Sequence, residues 1–137
     1  MKPIPHQSLA VRDLDEARAF YVEVLGCPEG RRVPAALDVW LFGTQVTLHD
    51  APDDIAPASD RLARHFGVTL GRDDFDAVMA RLDHHSTRWL RPLRTEHDGT
   101  GRQQTKAMVA DPSGNAIEFK TYPDPAHALK IPRDLRA

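Results

Sequence analysis

HQSLAVRDLDEARAFYVEVLG, running from His6 to Gly26, is the stretch whose reading decides the fold. Its opening alternates small or polar with apolar side chains, and with Pro3 and Pro5 as boundary it predicts a strand over Ile4–Val11. The alternation then gives way to helical spacing. Asp13 is placed to cap a helix with Glu16 three positions on, and Leu14, Ala17, Ala19, Phe20, Val24 and Leu25 recur along it until Gly26 ends it.

Working outward, three strands are predicted next, over Gly30–Val33, Leu37–Phe42 and Gln45–His49, with Gly43-Thr44 as the tight turn between the last two. Asp50 to Arg61 is rich in Pro, Asp, Ala and Ser and reads as a linker. The order then begins again. His65–Gly71 alternates like a strand, Asp73 or Asp74 is placed to cap a helix carrying Phe75, Val78, Met79 and Leu82, and strands are predicted over Arg88–Leu93, Gln103–Ala110 and Asn115–Tyr122. Arg94–Arg102 reads as a polar loop and Asp111-Pro112-Ser113-Gly114 as a turn. Placing His6 on His65 sets Leu9 on Val68 and Val11 on Leu70; placing Gly43 on Gly114 sets Val46 on Ile117 and Thr47 on Glu118. The predicted class is therefore α+β: two βαβββ modules, residues 1–50 and 63–122, joined by a linker over 51–62 and followed by a C-terminal extension over 123–137.

Strand alternation divides these side chains between two faces. Leu9, Val11, Val46, Leu48, Val68, Leu70, Ile117 and Phe119 form an apolar set, the expected seat of the helices. The opposite set contains His6, Ser8, Ala10, Gln45, Thr47, His49, His65, Gly67, Thr69, Ala116, Glu118 and Lys120. Exposed strand faces favour Thr, Lys, Arg and Ser, so histidines beside a carboxylate point to a function. If the duplicated sheets close around a shared cup, His6, His65 and Glu118 converge on it. Two imidazoles and one carboxylate suit one divalent metal, Fe(II) or else Mn, Co, Ni or Zn, with coordination positions left open.

Composition excludes several other classes. The 137 residues suffice for one compact domain, and 18 basic against 20 acidic side chains, net −2, leave no basic stripe for nucleic acid. No apolar run reaches the roughly 20 residues of a membrane span, and the first residues lack a secretory signal, so a cytoplasmic protein is expected. A single cysteine, Cys27, rules out an internal disulfide and reads as a bland buried thiol.

The runs HQSLAVRDLDEARAFYVEVLG (His6–Gly26), HFGVTL (His65–Leu70) and DPSGNAIEFK (Asp111–Lys120) resemble the vicinal-oxygen-chelate superfamily, which includes glyoxalase I, extradiol dioxygenases, and bleomycin and fosfomycin resistance proteins. The resemblance extends to about Tyr122. It implies paired βαβββ modules whose curved mixed sheets form a half-barrel cup with helices outside, often in a homodimer. It also implies metal ligands at His6, His65 and Glu118. The fourth ligand position falls on Thr47, where glyoxalase I is expected to carry a carboxylate, and His49 one step along the same face is the candidate replacement ligand or base. With Thr47 there, Glu118 alone remains for glyoxalase-type proton transfer. Three ligands with open positions resemble instead the extradiol arrangement, with His49 handling protons.

The function expected is a metal-dependent lyase, isomerase or ring-cleaving dioxygenase acting on a small molecule that chelates the metal through vicinal oxygens, with Glu118 and His49 as catalytic candidates. The alternative is a metal-free protein of the bleomycin-resistance kind that sequesters a drug in a dimer cleft. A fosfomycin-type transferase is a third possibility. Arg91 and Arg94 are candidates for holding an anionic substrate, and His97 for closing over it. The bland readings of these three are solvated or paired strand arginines and a surface loop. His84 and His85 read as solvent-facing, His127 in the tail carries no signal, and Trp40, Trp89 and Phe42 read as pocket wall or packing.

Overall fold

The computed structural model describes residues 1–136, so the last residue of the extension predicted over 123–137 lies outside the described residues. Eight strands form two four-stranded mixed sheets. The first contains β1 (His6–Val11), β2 (Glu29–Val33), β3 (Ala36–Leu41) and β4 (Thr44–Asp50), ordered β1-β4-β3-β2. The second contains β5 (Phe66–Leu70), β6 (Trp89–Glu96), β7 (Gln104–Ala110) and β8 (Ala116–Thr121), ordered β5-β8-β7-β6. In each, the first strand runs parallel to the last and the other pairings are antiparallel. The predicted α+β class and the duplicated module are both observed.

The repeat extends to register. Ser8 faces Thr47 across β1 and β4, and Gly67 faces Glu118 across β5 and β8. These are the residue pairs that the two sequence superpositions equate. All eight predicted core residues behave alike: Val11, Val46, Leu48, Leu70, Ile117 and Phe119 are buried, and Leu9 and Val68 pack against them.

Helix α1 (Leu14–Arg18) is capped as expected, with the Glu16 amide donating to Asp13 Oδ1 at 2.7 Å. Beyond it the sequence reading needs correction. From Ala19 to Val24 the chain widens into a π-helix, in which the Leu25 amide donates to the Phe20 carbonyl, and Gly26 closes it at φ +77°. The wider turn buries consecutive aromatic residues, Phe20 and Tyr21, edge to face at 5.1 Å. The sequence reading placed Phe20 on the core side and left out Tyr21, although Tyr21 stands four residues after Ala17 and four before Leu25.

Other boundaries shift for local reasons. The β3–β4 turn is Phe42-Gly43, not Gly43-Thr44: both turn residues have positive φ, +47° and +85°, as a two-residue hairpin requires, and Thr44 already pairs with Leu41. Helix α3 (Arg72–His84) is capped by Gly71, not by Asp73 or Asp74, which lie in its first turn where the positive end of the helix dipole favours them. Strand β6 extends to Glu96 because Thr95 and Glu96 still pair with Thr105 and Gln104, so Arg94 to Glu96 belong to the strand and the loop is shorter than predicted. The stretch read as a linker holds a 3-10 turn over Pro52–Asp54 and the short helix α2 (Ala58–Arg61); α4 (Pro125–Ala128) lies in the C-terminal extension.

Polar contacts bind the two modules. The 111–114 turn lies against the end of β1 and the first helix: Tyr21 Oη donates to Asp111 Oδ2 at 2.9 Å, the Arg12 amide to Ser113 Oγ at 2.9 Å, and Asn115 Nδ2 to the Ala10 carbonyl at 3.0 Å. Asp111 is 3% exposed, and burial raises its pKa even though Asn115 and Tyr21 donate to it. The Arg81 guanidinium of α3 donates to the carbonyls of Val24 and Glu23 at 2.8 and 2.9 Å, satisfying groups that the π-helix end leaves free.

Candidate functional site

His65 immediately precedes β5, and its ring is held by its own chain. Nδ1 lies 2.6 Å from the Leu62 carbonyl oxygen, and Nε2 lies 2.9 Å from Glu118 Oε2. A carbonyl only accepts, so Nδ1 carries a proton and donates. Two states remain for Nε2: a proton held between it and the carboxylate, or a lone pair aimed at a carboxylate oxygen. The second calls for a cation beside the pair, bound by both atoms as adjacent ligands. Fixing one imidazole nitrogen on a backbone carbonyl so that the other meets a ligand is how metal-binding histidines are usually oriented. The donor set therefore fits a divalent metal.

Position and access agree with that. Glu118 sits on β8 with its side chain 13% exposed, and His65 is 32% exposed. Both line an open depression of about 230 Å³ together with Phe66, Gly67, Val68, Thr69 and Lys120. Gly67 stands directly across the ladder from Glu118, and a side chain there would run into the Glu118 backbone.

His6 lies elsewhere. It is exposed, on the edge strand β1 of the other sheet, in the row His6, Gln45, Trp40. It does not line the depression, and no group of three His, Cys, Asp or Glu able to hold a metal exists among the described residues of one chain. One chain thus unites two of the three predicted ligands.

The remaining candidates divide between the two sheets. Thr47 is buried on β4, and His49 is exposed two residues on along the same face. Arg91 falls in the row of Met108 and Glu118, and Arg94 in the row of Lys106 and Lys120. Arg94 is engaged: its Nε lies 2.9 Å from Glu96 Oε1, whose other oxygen meets Lys106 at 3.0 Å. His97 is exposed in the turn after β6, at φ +54°, with its carbonyl accepting from Thr100. It is outside the depression.

Two residues escaped the sequence reading as site candidates. Lys120 borders the His65–Glu118 pair and places a cation beside it. Asp38, on β3, is 5% exposed in the row Ser8, Thr47, Asp38. Thr47 Oγ1 donates to its Oδ1 at 2.7 Å and Gln45 Nε2 to its Oδ2 at 3.1 Å. The Thr47 bond, followed by those of Gln45 and the charges of Arg31 and His49, holds its pKa below the ordinary value against the effect of burial. Alternation of Leu37, Val39 and Leu41 toward the core was the signal that put Asp38 on the polar face.

Comparison with known proteins agrees with this architecture. The family model of the Glyoxalase/Bleomycin resistance protein/Dioxygenase superfamily matches residues 3–119. A glyoxalase/bleomycin resistance protein/dioxygenase from Alicyclobacillus acidocaldarius is similar in structure at TM-score 0.77 with 30% identity, covering 90% of this chain and 93% of that one. The fosfomycin resistance protein FosX of Listeria monocytogenes is similar at TM-score 0.71 and 15% identity, covering 89% and 94%. The lactoylglutathione lyase of Agrobacterium tumefaciens is similar at TM-score 0.63 and 19% identity, covering 88% and 94%. The last two likenesses are of fold alone. None of the curated proteins compared matches the chain. With the duplicated register, the paired sheets and a family match over most of its length, this chain belongs to the glyoxalase/bleomycin resistance/dioxygenase superfamily.

Proposed function

We propose that the protein is a metal-dependent enzyme in which His65 and Glu118 of one chain, with His6 from a second copy, hold one divalent cation and receive a small substrate bearing vicinal oxygens. The observation that carries this reading is the His65 ring itself, anchored through Nδ1 on Leu62 and directed through Nε2 at Glu118. His6 is assigned to a second copy because the two modules are alike in register, so a homodimer related by a two-fold axis can bring β1 of one chain toward β5 of the other.

A bound divalent cation would polarise neighbouring substrate oxygens and stabilise an enolate or oxyanion. This chain's own residues do the rest. Lys120 and Arg91 attract an anionic oxygen toward the second sheet, Glu118 offers a carboxylate oxygen to a migrating proton, and His49 is placed on the first sheet as a second proton carrier. The reaction is one of lyase, isomerase or ring-cleaving dioxygenase type.

Elemental analysis of the purified protein tests this. About one divalent metal per chain, lost on His65→Ala, is the expected result. Protein that takes up no metal yet binds a bleomycin-type drug tightly would replace this reading with sequestration. Oxygen uptake with catechols, set against lactoylglutathione formation from methylglyoxal and glutathione, then separates the reaction classes.

A further inference from the structure

The polar face of the first sheet holds a carboxylate that the duplication does not account for. Asp38 occupies the row Ser8, Thr47, Asp38, where the second sheet has Gly67, Glu118, Met108. Its partners are Thr47 Oγ1 at 2.7 Å, Gln45 Nε2 at 3.1 Å and Arg31 Nε at 3.4 Å, the arginine side chain itself being 70% exposed.

An ionised carboxylate accepts hydrogen bonds and donates none, so every neighbour must direct a proton at it. Thr47 has a single hydroxyl proton. With that proton on Asp38, the Thr47 oxygen presents only lone pairs to whatever lies above the sheet. Gln45 must turn its amide nitrogen to Asp38, which turns its carbonyl oxygen away. Thr47 is thereby fixed as an acceptor, and Gln45, which keeps one free N–H, turns its carbonyl oxygen outward, both beside a negative charge that the exposed Arg31 only partly offsets.

We propose that Asp38 is a positioning residue that biases the first sheet's face toward hydrogen-bond acceptors, so that the part of the substrate lying there carries donors, hydroxyl or ammonium groups, and not an oxyanion. The inference rests on the proposed function only in placing this face in the substrate cup. The second sheet is its electrostatic complement: Lys106 and Arg94 are occupied by Glu96, whereas Lys120 lies beside the Glu118 depression. The substrate class that fits both faces is a small oxyanion with a hydroxyl or amine at its other end.

The test compares two probes by NMR on the full chain, as purified and again after chelation: 2-amino-1,3-propanediol, which carries an ammonium and two hydroxyls, and inorganic phosphate. The aminodiol should shift the Thr47 and His49 amides and the Gln45 side-chain amide saturably, with or without the chelator, and bind this face at least about tenfold tighter than phosphate. Asp38→Asn, which keeps the side-chain shape, should weaken the aminodiol about tenfold and move the Gln45 side-chain resonances, because an asparagine no longer dictates which way that amide points. Thr47→Ser should retain binding and Thr47→Val should lose it. Phosphate binding this face as tightly as the aminodiol, no saturable shift, or an Asp38→Asn chain with a native spectrum and unchanged affinity would each overturn the proposal. Failure of the metal reading shows separately, as absence of metal from the wild-type chain.

Discussion

Replacing Gly67 by alanine is the most informative single perturbation of the site. A Cβ at this position would be driven into the Glu118 carbonyl oxygen, with the carbonyl carbon at 2.7 Å and the amide nitrogen at 3.0 Å, where ordinary contact begins at 3.4 Å. Every nearby atom is backbone, so no side chain can swing aside; β8 must retreat from β5, or β5 must twist. A retreat of about 1 Å breaks the ladder bonds flanking this pair, about two bonds at about 1 kcal/mol each, and adds packing strain of about 1 kcal/mol or more. The total is about 3–4 kcal/mol, which for a chain of this size lowers Tm by roughly 8–15 °C. Because Glu118 rides on the displaced strand, the proposed metal site should lose affinity with it. Ser8→Ala, at the equivalent place in the first module, is the control and should change Tm by less than about 3 °C. Melting followed by circular dichroism, with metal content on the same samples, decides the matter. A Gly67→Ala chain that melts within about 2 °C of wild type would refute the close approach of these strands.

Other consequences of the packing can be measured directly. Burial pushes the Cys27 thiol up to about 12, so the native protein should resist a thiol-disulfide reagent at pH 8 and react fully once unfolded; rapid native labelling would contradict this. Asp38 has its pKa held below the ordinary 3.8, so its ionised form contributes stability that is present above pH 3.8 and lost as pH falls through the lower folded value. The Tm difference between wild type and Asp38→Asn should therefore be constant near neutrality and shrink below about pH 4; a gap that widens in acid would be wrong in sign. Tyr21→Phe removes the hydroxyl that donates to buried Asp111 and should destabilise the chain by about 1.5–3 kcal/mol in denaturant melts. A loss under about 0.5 kcal/mol would mean that Asn115 satisfies the carboxylate alone.

Much of this fold is written in local alternation. The period-two pattern of Leu9 and Val11, or of Ile117 and Phe119, is strong because each strand buries one face only, and the Asp13 cap needs nothing beyond its own turn. His65 and Glu118 were legible as partners for the same reason: alternation along two strands of one module put both on the polar side. The π-helix was not legible, since an inserted residue leaves no signature in apolar spacing until the core shows that Phe20 and Tyr21 are both buried. Asp38 was overlooked because its partners, Gln45 and Thr47, lie on the neighbouring strand, and one strand's alternation gives a face without giving what stands beside it. His6 illustrates a further limit. Its face was readable, but the part proposed for it depends on assembly, which no local pattern encodes.

The metal-site reading is tested most directly by mixing two inactive halves. His6→Ala and His65→Ala chains, each purified and shown to lack tight metal, are combined at equal concentration, exchanged through mild denaturant and assayed for bound divalent metal. A site shared between chains predicts recovery in the heterodimer, where one of the two sites regains both imidazoles, reaching about one metal per two chains of heterodimer. Mixtures that remain as empty as their components would contradict a shared centre of His6, His65 and Glu118.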